Sequence, residues 1–141
     1  SHSNPTIHDT DNDDIPDGWE YENGLNPNDP SDRESDADSD TLSNYDEYVH
    51  QTNPQNSDSD SDLLSDSEEI NVVGSDPTNS DSDSDLLPDG WEVEHNLNPL
   101  LESDATSDED NDGLNALQEF EIQSNSNKFG RIYRENKSNG C

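Results

Sequence analysis

Acidic residues recur along the chain at a fixed spacing that suits metal binding. The 12-residue pattern D-x-D-x-D-x-h-x-[DN]-x-x-E, with h an aliphatic residue, is met first as DTDNDDIPDGWE and returns four times. The five matches, called loops 1 to 5, are residues 9–20, 36–47, 58–69, 81–92 and 108–119. Every loop has acids at positions 1, 3, 5 and 12 and an aliphatic residue at 7, and only Ala116 departs from Asp or Asn at position 9. Disordered acidic tails carry charge without such a register.

Acids at alternate positions of a tightening loop point their oxygens to one side, which is the arrangement that a hard cation needs. Calcium takes six to eight oxygen ligands, and the EF-hand loop supplies them from positions 1, 3, 5, 9 and 12 and from the backbone carbonyl of position 7. Magnesium prefers an octahedron with retained waters, and zinc prefers nitrogen and sulfur. The pattern therefore predicts calcium, about five ions in all.

The predicted ligands are the side chains at positions 1, 3, 5, 9 and 12, together with the carbonyl of the aliphatic residue at position 7. By loop they are Asp9, Asp11, Asp13, Ile15, Asp17 and Glu20; Asp36, Asp38, Asp40, Leu42, Asn44 and Glu47; Asp58, Asp60, Asp62, Leu64, Asp66 and Glu69; Asp81, Asp83, Asp85, Leu87, Asp89 and Glu92; and Asp108, Asp110, Asp112, Leu114 and Glu119.

Composition limits what else the chain can be. Among its 141 residues, 23% are hydrophobic, and 37 acids face 5 bases for a formal charge of -32. Such a composition alone is typical of intrinsic disorder and allows only a small core. The charge excludes electrostatic binding to nucleic acid or to an anionic membrane, because both are polyanions, and no apolar run is long enough to insert into a bilayer. A single cysteine, Cys141, excludes an internal disulfide framework.

The elements that position the loops are short and repeated. The chain contains an internal duplication, in which PDGWEYENGLNP (16–27) aligns with PDGWEVEHNLNP (88–99) and the same shift lays loop 2 over loop 5. Each loop leads into a short amphipathic segment about two turns long, which Gly24, Gly74 or Asn96 is suited to end. Asn-Pro or Asp-Pro linkers then turn the chain toward the next loop. We expect a mostly irregular, elongated tandem array of loop-helix repeats with short α-helices, little or no β-sheet and a small core.

The array resembles bacterial thrombospondin type 3 repeats, which share the loop chemistry of EF-hands and dockerins. The resemblance covers roughly residues 9 to 122 and rests on the aliphatic position 7, the D-G-W-E endings of loops 1 and 4, the NALQE ending of loop 5 and the T-N-P or S-D-P linkers. It implies a calcium-stabilised spacer or adhesion module of a secreted or cell-surface multidomain protein.

Two features depart from this family pattern. Position 6, usually Gly, is Asp14, Thr41, Leu63 and Leu86 in four loops, and only Gly113 keeps it. A Leu forced to positive φ costs about 1 to 2 kcal/mol, so these loops either follow another path or bind more weakly. At position 9 of loop 5, an alanine leaves a ligand gap that a water could fill.

Outside the loops the sequence is less informative. Residues 1–8 form a lead-in, 9–127 the repeats, and 128–141 a basic tail or the start of a following element. Trp19 and Trp91 are interpreted as core residues that pack against the next repeat rather than as ligand-stacking platforms. No carboxylate pair is distinguished from the others as a catalytic pair, so an enzyme is not expected.

The sequence thus predicts a calcium-binding structural spacer or stalk, outside the cell, whose partners are calcium and the neighbouring domains of its parent protein. Two alternatives stay open. The first is a calcium-dependent adhesive or filament-forming module, which would bind a cell-surface or extracellular protein or itself. The second is a disordered acidic calcium buffer, which would remain expanded with calcium present.

Overall fold

A computed structural model describes residues 8–108 and 111–123. Over these ranges the chain forms short helices joined by turns, and it contains no β-strand, which confirms the predicted mostly irregular, short-helix fold. The helices are α1 (Asp17–Asn23), α2 (Asn44–His50), α3 (Asp66–Glu68), α4 (Asp89–Glu94) and α5 (116–123). A π-helical turn (Glu69–Val73) continues α3, and 3-10 turns occupy Asp32–Glu34 and Asp104–Thr106. None of the helices in these ranges is long and apolar enough to cross a bilayer.

Each helix begins inside its loop, at position 9, rather than after it as the sequence pattern suggested. The reason lies at position 8, which is Pro or Ser in an extended conformation in loops 1 to 4. Ser43 and Ser65 form capping boxes with Asp46 and Glu68, and a side chain that satisfies free N–H groups in this way starts a helix. Position 12 is consequently in the first helical turn, from which its Glu side chain reaches back into the loop.

Left-handed residues follow α1, α2 and the π-helical turn directly, and one lies two residues beyond the end of α4. Gly24 and Gly74, with φ of 78° and 85°, follow α1 and the π-helical turn, and Asn96 has φ of 62° beyond α4. These are the three terminators predicted from the sequence. The fourth, Gln51 with φ of 65° after α2, carried no such signal.

The linkers share one turn geometry. In the linker after loop 1, the N–H of Asp29 donates to the carbonyl of Asn26 at 2.9 Å, and the Asn26 side chain accepts the N–H of Asn28. The same pair of bonds follows Asn53, Asp76 and Asn98. The Asn-Pro and Asp-Pro dipeptides therefore act as turn initiators, as predicted.

The chain divides into two compact units, Ser1–Ser80 and Asp81–Cys141. In the first, Trp19 of α1 meets Tyr48 of α2 edge to face, with ring centroids 5.4 Å apart. The second unit has a small apolar core of Leu87, Trp91, Ala105 and Ala116, with Leu97, Leu117 and Phe120 packed against it. Both tryptophans thus lie against a helix of the next repeat within their own unit, but only Trp91 is a core residue, since Trp19 is half-buried.

Candidate metal centres

The acids at positions 1 and 5 curl each loop by accepting backbone N–H groups. In loop 1, Asp9 accepts from Asn12 at 2.7 Å and from Asp14 at 3.1 Å, and Asp13 accepts from Ile15 at 2.8 Å. The bond from the position 6 N–H to position 1 recurs in loops 2 to 5 at 3.0 to 3.1 Å. The bond from the position 7 N–H to position 5 recurs there at 2.8 to 2.9 Å. Loops 1 to 4 and the described part of loop 5 therefore share one pattern of backbone hydrogen bonds.

The backbone at position 6 is left-handed in every loop, whatever the residue there. The φ angles are 76° at Asp14, 88° at Thr41, 86° at Leu63, 83° at Leu86 and 97° at Gly113. The loops without Gly at position 6 therefore follow the same path there as the loop with Gly113. Of the two expectations for these loops, a different path is wrong, and weaker binding stays a prediction. Leu63 and Leu86 bear the strain of that conformation with exposed side chains.

The carboxylate oxygens that face the centre of loop 1 are buried and have no donor. Both oxygens of Asp11, both of Glu20 and Oδ2 of Asp13 accept no hydrogen bond within the described chain. One oxygen from each of Asp9, Asp11 and Asp13 lies within 4.8 Å of the others, and the acids at positions 1, 3 and 5 of loops 2 and 3 converge in the same way. Coordination by one cation is the arrangement that such a set of oxygens fits.

The position 12 glutamates of loops 1 to 4 are fully buried, as are Asp66 and Asp89 at position 9, whereas Glu119 of loop 5 is only partly buried. Glu20, Glu47, Glu69 and Glu92 are 0% exposed. Burial, followed by the charges of Asp residues at positions 3 and 5, raises the pKa of Glu20 to about 7 and those of Glu47 and Glu92 to about 8. Each of these carboxylates must therefore take up a proton or face a cation, because an uncompensated buried charge is costly.

The aspartates at position 9 accept hydrogen bonds from the residue at position 2 of the same loop. The carboxylate of Asp17 accepts the N–H of Thr10 at 2.6 Å and its hydroxyl at 2.7 Å, and Asp66 accepts the same two bonds from Ser59. Asp89 accepts the N–H of Ser82 at 2.7 Å. Direct ligation by these aspartates stays a prediction.

Position 9 is Asn44 in loop 2 and Ala116 in loop 5. Oδ1 of Asn44, its predicted ligand atom, is buried and has no donor among the described residues. The amide nitrogen of Asn44 donates to the carbonyl of Asp32 at 2.7 Å. Ala116 belongs to the apolar core of the second unit with Leu87 and Trp91, which explains why a ligand type is missing from position 9 of loop 5.

At position 7 the side chains are buried in loops 1 to 4, at Ile15, Leu42, Leu64 and Leu87. Their N–H groups already donate to position 5, while the role of their carbonyl groups as ligands stays a prediction.

Two acids that the 12-residue pattern does not include join the clusters. Asp32, in the 3-10 turn after loop 1, offers an oxygen within 4.8 Å of oxygens from Asp13 and Glu20. Asp104 adds to the repulsion that raises the pKa of Glu92 in loop 4. The internal duplication that aligns 16–27 with 88–99 also aligns Asp32 with Asp104. This repetition is the sequence feature from which the two acids could have been predicted.

The basic residue nearest these clusters does not neutralise them. Arg33 is the single base among residues 1–127, which hold 36 acids once Glu135 is taken from the total of 37. Its Nε–H donates to the backbone carbonyl of Asp13 at 2.7 Å, its guanidinium lies 3.8 Å above the Tyr45 ring, and it pairs with Glu34. The charge of the buried carboxylates thus calls for a cation from outside the chain, and their all-oxygen donor set fits calcium.

Some predicted features lie outside the described residues. Asp110 of loop 5, residues 1–7 of the lead-in and the basic tail at 128–141 are among them. Comparison with known protein families, with curated proteins and with solved structures found no match to this chain. The resemblance to thrombospondin type 3 repeats therefore rests on the sequence pattern alone.

Proposed function

We propose that the chain is a calcium-binding spacer or stalk module of a secreted or cell-surface multidomain protein, ordered by about five calcium ions. The observation that carries the proposal is the burial of Glu20, Glu47 and Glu92. Both oxygens of each lack a hydrogen-bond donor among the described residues, and each is crowded by further carboxylates. A divalent ion in each loop converts this repulsion into coordination.

Calcium suits the loops better than other common cations. The donors are carboxylate oxygens, and the loops follow a path with backbone N–H groups tied to positions 1 and 5. Calcium accepts many oxygen ligands in flexible geometry, whereas magnesium holds its waters and needs a strict octahedron. The family resemblance to calcium-stabilised repeats supports the same choice.

The free energy of ion binding is large enough to stabilise the folded state of the whole chain. An ion at ten times its Kd stabilises the folded state by about 1.4 kcal/mol, so five ions supply about 7 kcal/mol. That is comparable to the entire stability of a small domain. The small apolar core makes such a contribution necessary, and a repeat array that is ordered in this way serves to hold other domains apart.

The decisive test compares two glutamates of helix α1. Glu20 is buried with its oxygens in loop 1, whereas Glu22 is exposed on the same helix. In calorimetric titration with calcium, Glu20→Gln should remove one ion or weaken it about tenfold or more, while Glu22→Gln should bind like the wild type. Equal binding by both variants would show that loop 1 is not a calcium site.

The adhesive alternative is favoured by one surface feature of the first unit. A groove of about 560 Å³ is lined by Trp19, Tyr48, Val49 and Gln51, and the Val49 side chain is 53% exposed. Analytical ultracentrifugation with saturating calcium separates the two functions. A spacer remains monomeric over a wide concentration range, and a filament-forming module self-associates in a way that Val49→Asp abolishes.

A further inference from the structure

Asp32 has two oxygens in different surroundings. Its Oδ2 accepts the N–H of Asn26, the residue that begins the linker turn, at 2.9 Å. Its Oδ1 is buried and accepts no hydrogen bond from any residue that the structure describes. One Asp32 oxygen lies within 4.8 Å of oxygens from Asp13 and Glu20, and the last of these residues is fully buried. The side chain therefore connects the linker turn to the centre of loop 1.

The second unit repeats this arrangement at Asp104. Its Oδ2 accepts the N–H of Asn98 at 2.8 Å, and its Oδ1 is buried without a donor in the described part of the chain. The charge of Asp104 also acts on Asp83, Asp85 and Glu92 of loop 4, whose pKa values are raised mainly by burial. The hydrogen bond to the linker and the buried oxygen without a donor thus occur independently in the two units.

We propose that Asp32 and Asp104 are metal ligands supplied from outside the 12-residue loops, so that the ions of loops 1 and 4 fasten each loop to the linker that follows it. This inference rests on the proposed calcium function. Oxygens bound to one calcium ion lie at most about 5 Å apart, because each is about 2.3 to 2.6 Å from the metal. The 4.8 Å limit within the Asp13, Glu20 and Asp32 cluster satisfies that condition.

The consequence is that ion binding orders a turn as well as a loop. Once its Oδ1 is bound to the ion, Asp32 holds its Oδ2 in place for the Asn26 N–H, and the Asn-Pro turn is fixed with it. Loop 2 is built differently. Burial is the main cause of the raised pKa of Glu47, and the acid from outside loop 2 that adds to it is Asp66, whose two oxygens both accept hydrogen bonds from Ser59. Loops 1 and 4 should therefore form a class of sites distinct from loop 2.

The test uses two charge-matched variants of the full chain. Asp32→Asn keeps an oxygen for the Asn26 N–H but turns an NH₂ group toward the ion. Asp14→Asn removes one charge from an exposed side chain of loop 1, at a left-handed position that Asn tolerates. Both are made in a Trp91→Phe background, so that terbium luminescence sensitised by Trp19 reports loop 1, with calcium as the competitor.

We expect Asp32→Asn to weaken terbium and calcium at loop 1 about tenfold or more, and Asp14→Asn to weaken them by no more than about threefold. Equal effects of the two variants would overturn the proposal, since Asp32 would then act only through its charge. If the Trp91→Phe protein without a further substitution binds neither terbium nor calcium at loop 1, the proposed calcium function itself is wrong. Asp104→Asn read by Trp91 in a Trp19→Phe background gives a second, separate measurement should Asp32→Asn fail to fold.

Hydrogen exchange supplies a readout that a simple change in affinity does not move. In the wild type, saturating calcium should slow exchange of the Asn26 and Asn98 amides at least tenfold, because the ion fixes the acceptor of each. In Asp32→Asn at saturating calcium, the protection of Asn26 should fall while that of Asn98 is kept. Unchanged protection of Asn26 in that variant would mean that the ion and the linker turn are not coupled.

Discussion

Trp19 and Tyr48 meet edge to face, with ring centroids 5.4 Å apart and planes inclined at 67°. Trp91 and Phe120, which occupy the equivalent places in the internal duplication, meet at 5.4 Å and 66°. The same aromatic pair thus joins the helix of one loop to the helix of the next in both units. Since an aromatic pair of this geometry contributes about 0.5 to 1.5 kcal/mol beyond its buried area, it sets how adjacent repeats pack.

Removing one ring should loosen the first unit. Tyr48→Ala should lower the free energy of unfolding in saturating calcium by about 2 to 4 kcal/mol, since it loses both the ring pair and its buried area. Tyr48→Phe, which keeps the ring as Phe120 does in the second unit, should change it by less than about 1 kcal/mol. Urea unfolding followed by Trp19 fluorescence measures both. A Tyr48→Ala protein as stable as the wild type would show that the ring contact does not support the repeat.

The pH dependence of stability should reverse between the ion-free and calcium-bound protein. The folded-state pKa values of Glu20, Glu47 and Glu92 are raised from 4.5 to about 7 or 8, chiefly by burial. Without calcium, the stability they contribute is fully present below pH 4.5 and is lost as the pH rises through 7 to 8. With calcium, stability should instead rise with pH, because only the deprotonated carboxylate binds the ion.

Urea unfolding at pH 5, 7 and 8.5, with a chelator and then with calcium, checks this reversal. Glu47→Gln should make the ion-free pH dependence less steep, because one of the buried glutamates with a raised pKa is gone. Ion-free stability that increases steadily from pH 5 to 8.5 would contradict the raised pKa values.

The left-handed leucine of loop 3 predicts an unusual stabilising substitution. Leu63 has φ of 86° and is 81% exposed, so replacing it by Gly relieves strain of about 1 to 2 kcal/mol and loses little buried area. The greater freedom of Gly in the unfolded chain offsets about 0.5 to 1 kcal/mol of that gain. Leu63→Gly should therefore raise the free energy of unfolding in calcium by up to about 1.5 kcal/mol.

Gly113→Leu makes the reverse exchange in loop 5 and should lower stability by a similar amount. A Cβ at Gly113 meets nothing within 4 Å, so the cost there is backbone strain rather than a clash. Chemical denaturation of the two variants side by side is the measurement. Changes of the same sign in both would argue against strain at position 6.

Calcium should order the chain with a defined stoichiometry. We expect five ions at saturation, with affinities on the order of 0.1 to 1 mM as in extracellular calcium modules, counted by calorimetry. Small-angle scattering and circular dichroism should show compaction and helix formation on adding calcium, and much less with magnesium. Two or fewer ions at saturation would mean that strain at position 6 disables most loops, and an expanded chain in calcium would favour the disordered buffer.

What the sequence by itself determined is which positions of each loop are tied together, while the path of the loops without Gly at position 6 was left open until the structure showed positive φ there. The bonds that tie these positions run from positions 4 to 7 back to positions 1 and 5, so they form between near neighbours in the chain. Such contacts can be read from spacing alone. The turns at Asn26 and its equivalents, and the terminators Gly24, Gly74 and Asn96, are likewise local backbone effects, so they too were predictable.

Tertiary structure decided which acids share a centre and which loop positions serve packing. Asp32 comes within reach of Glu20 only because the linker turn brings it back toward loop 1, and its spacing from the loop has no counterpart in the pattern. Position 9 of loop 5 is Ala116, where the other loops have Asp or Asn, because this side chain packs in the core around Trp91 of the preceding loop. Both outcomes depend on contacts between segments far apart in the chain, which a pattern confined to a single loop does not contain.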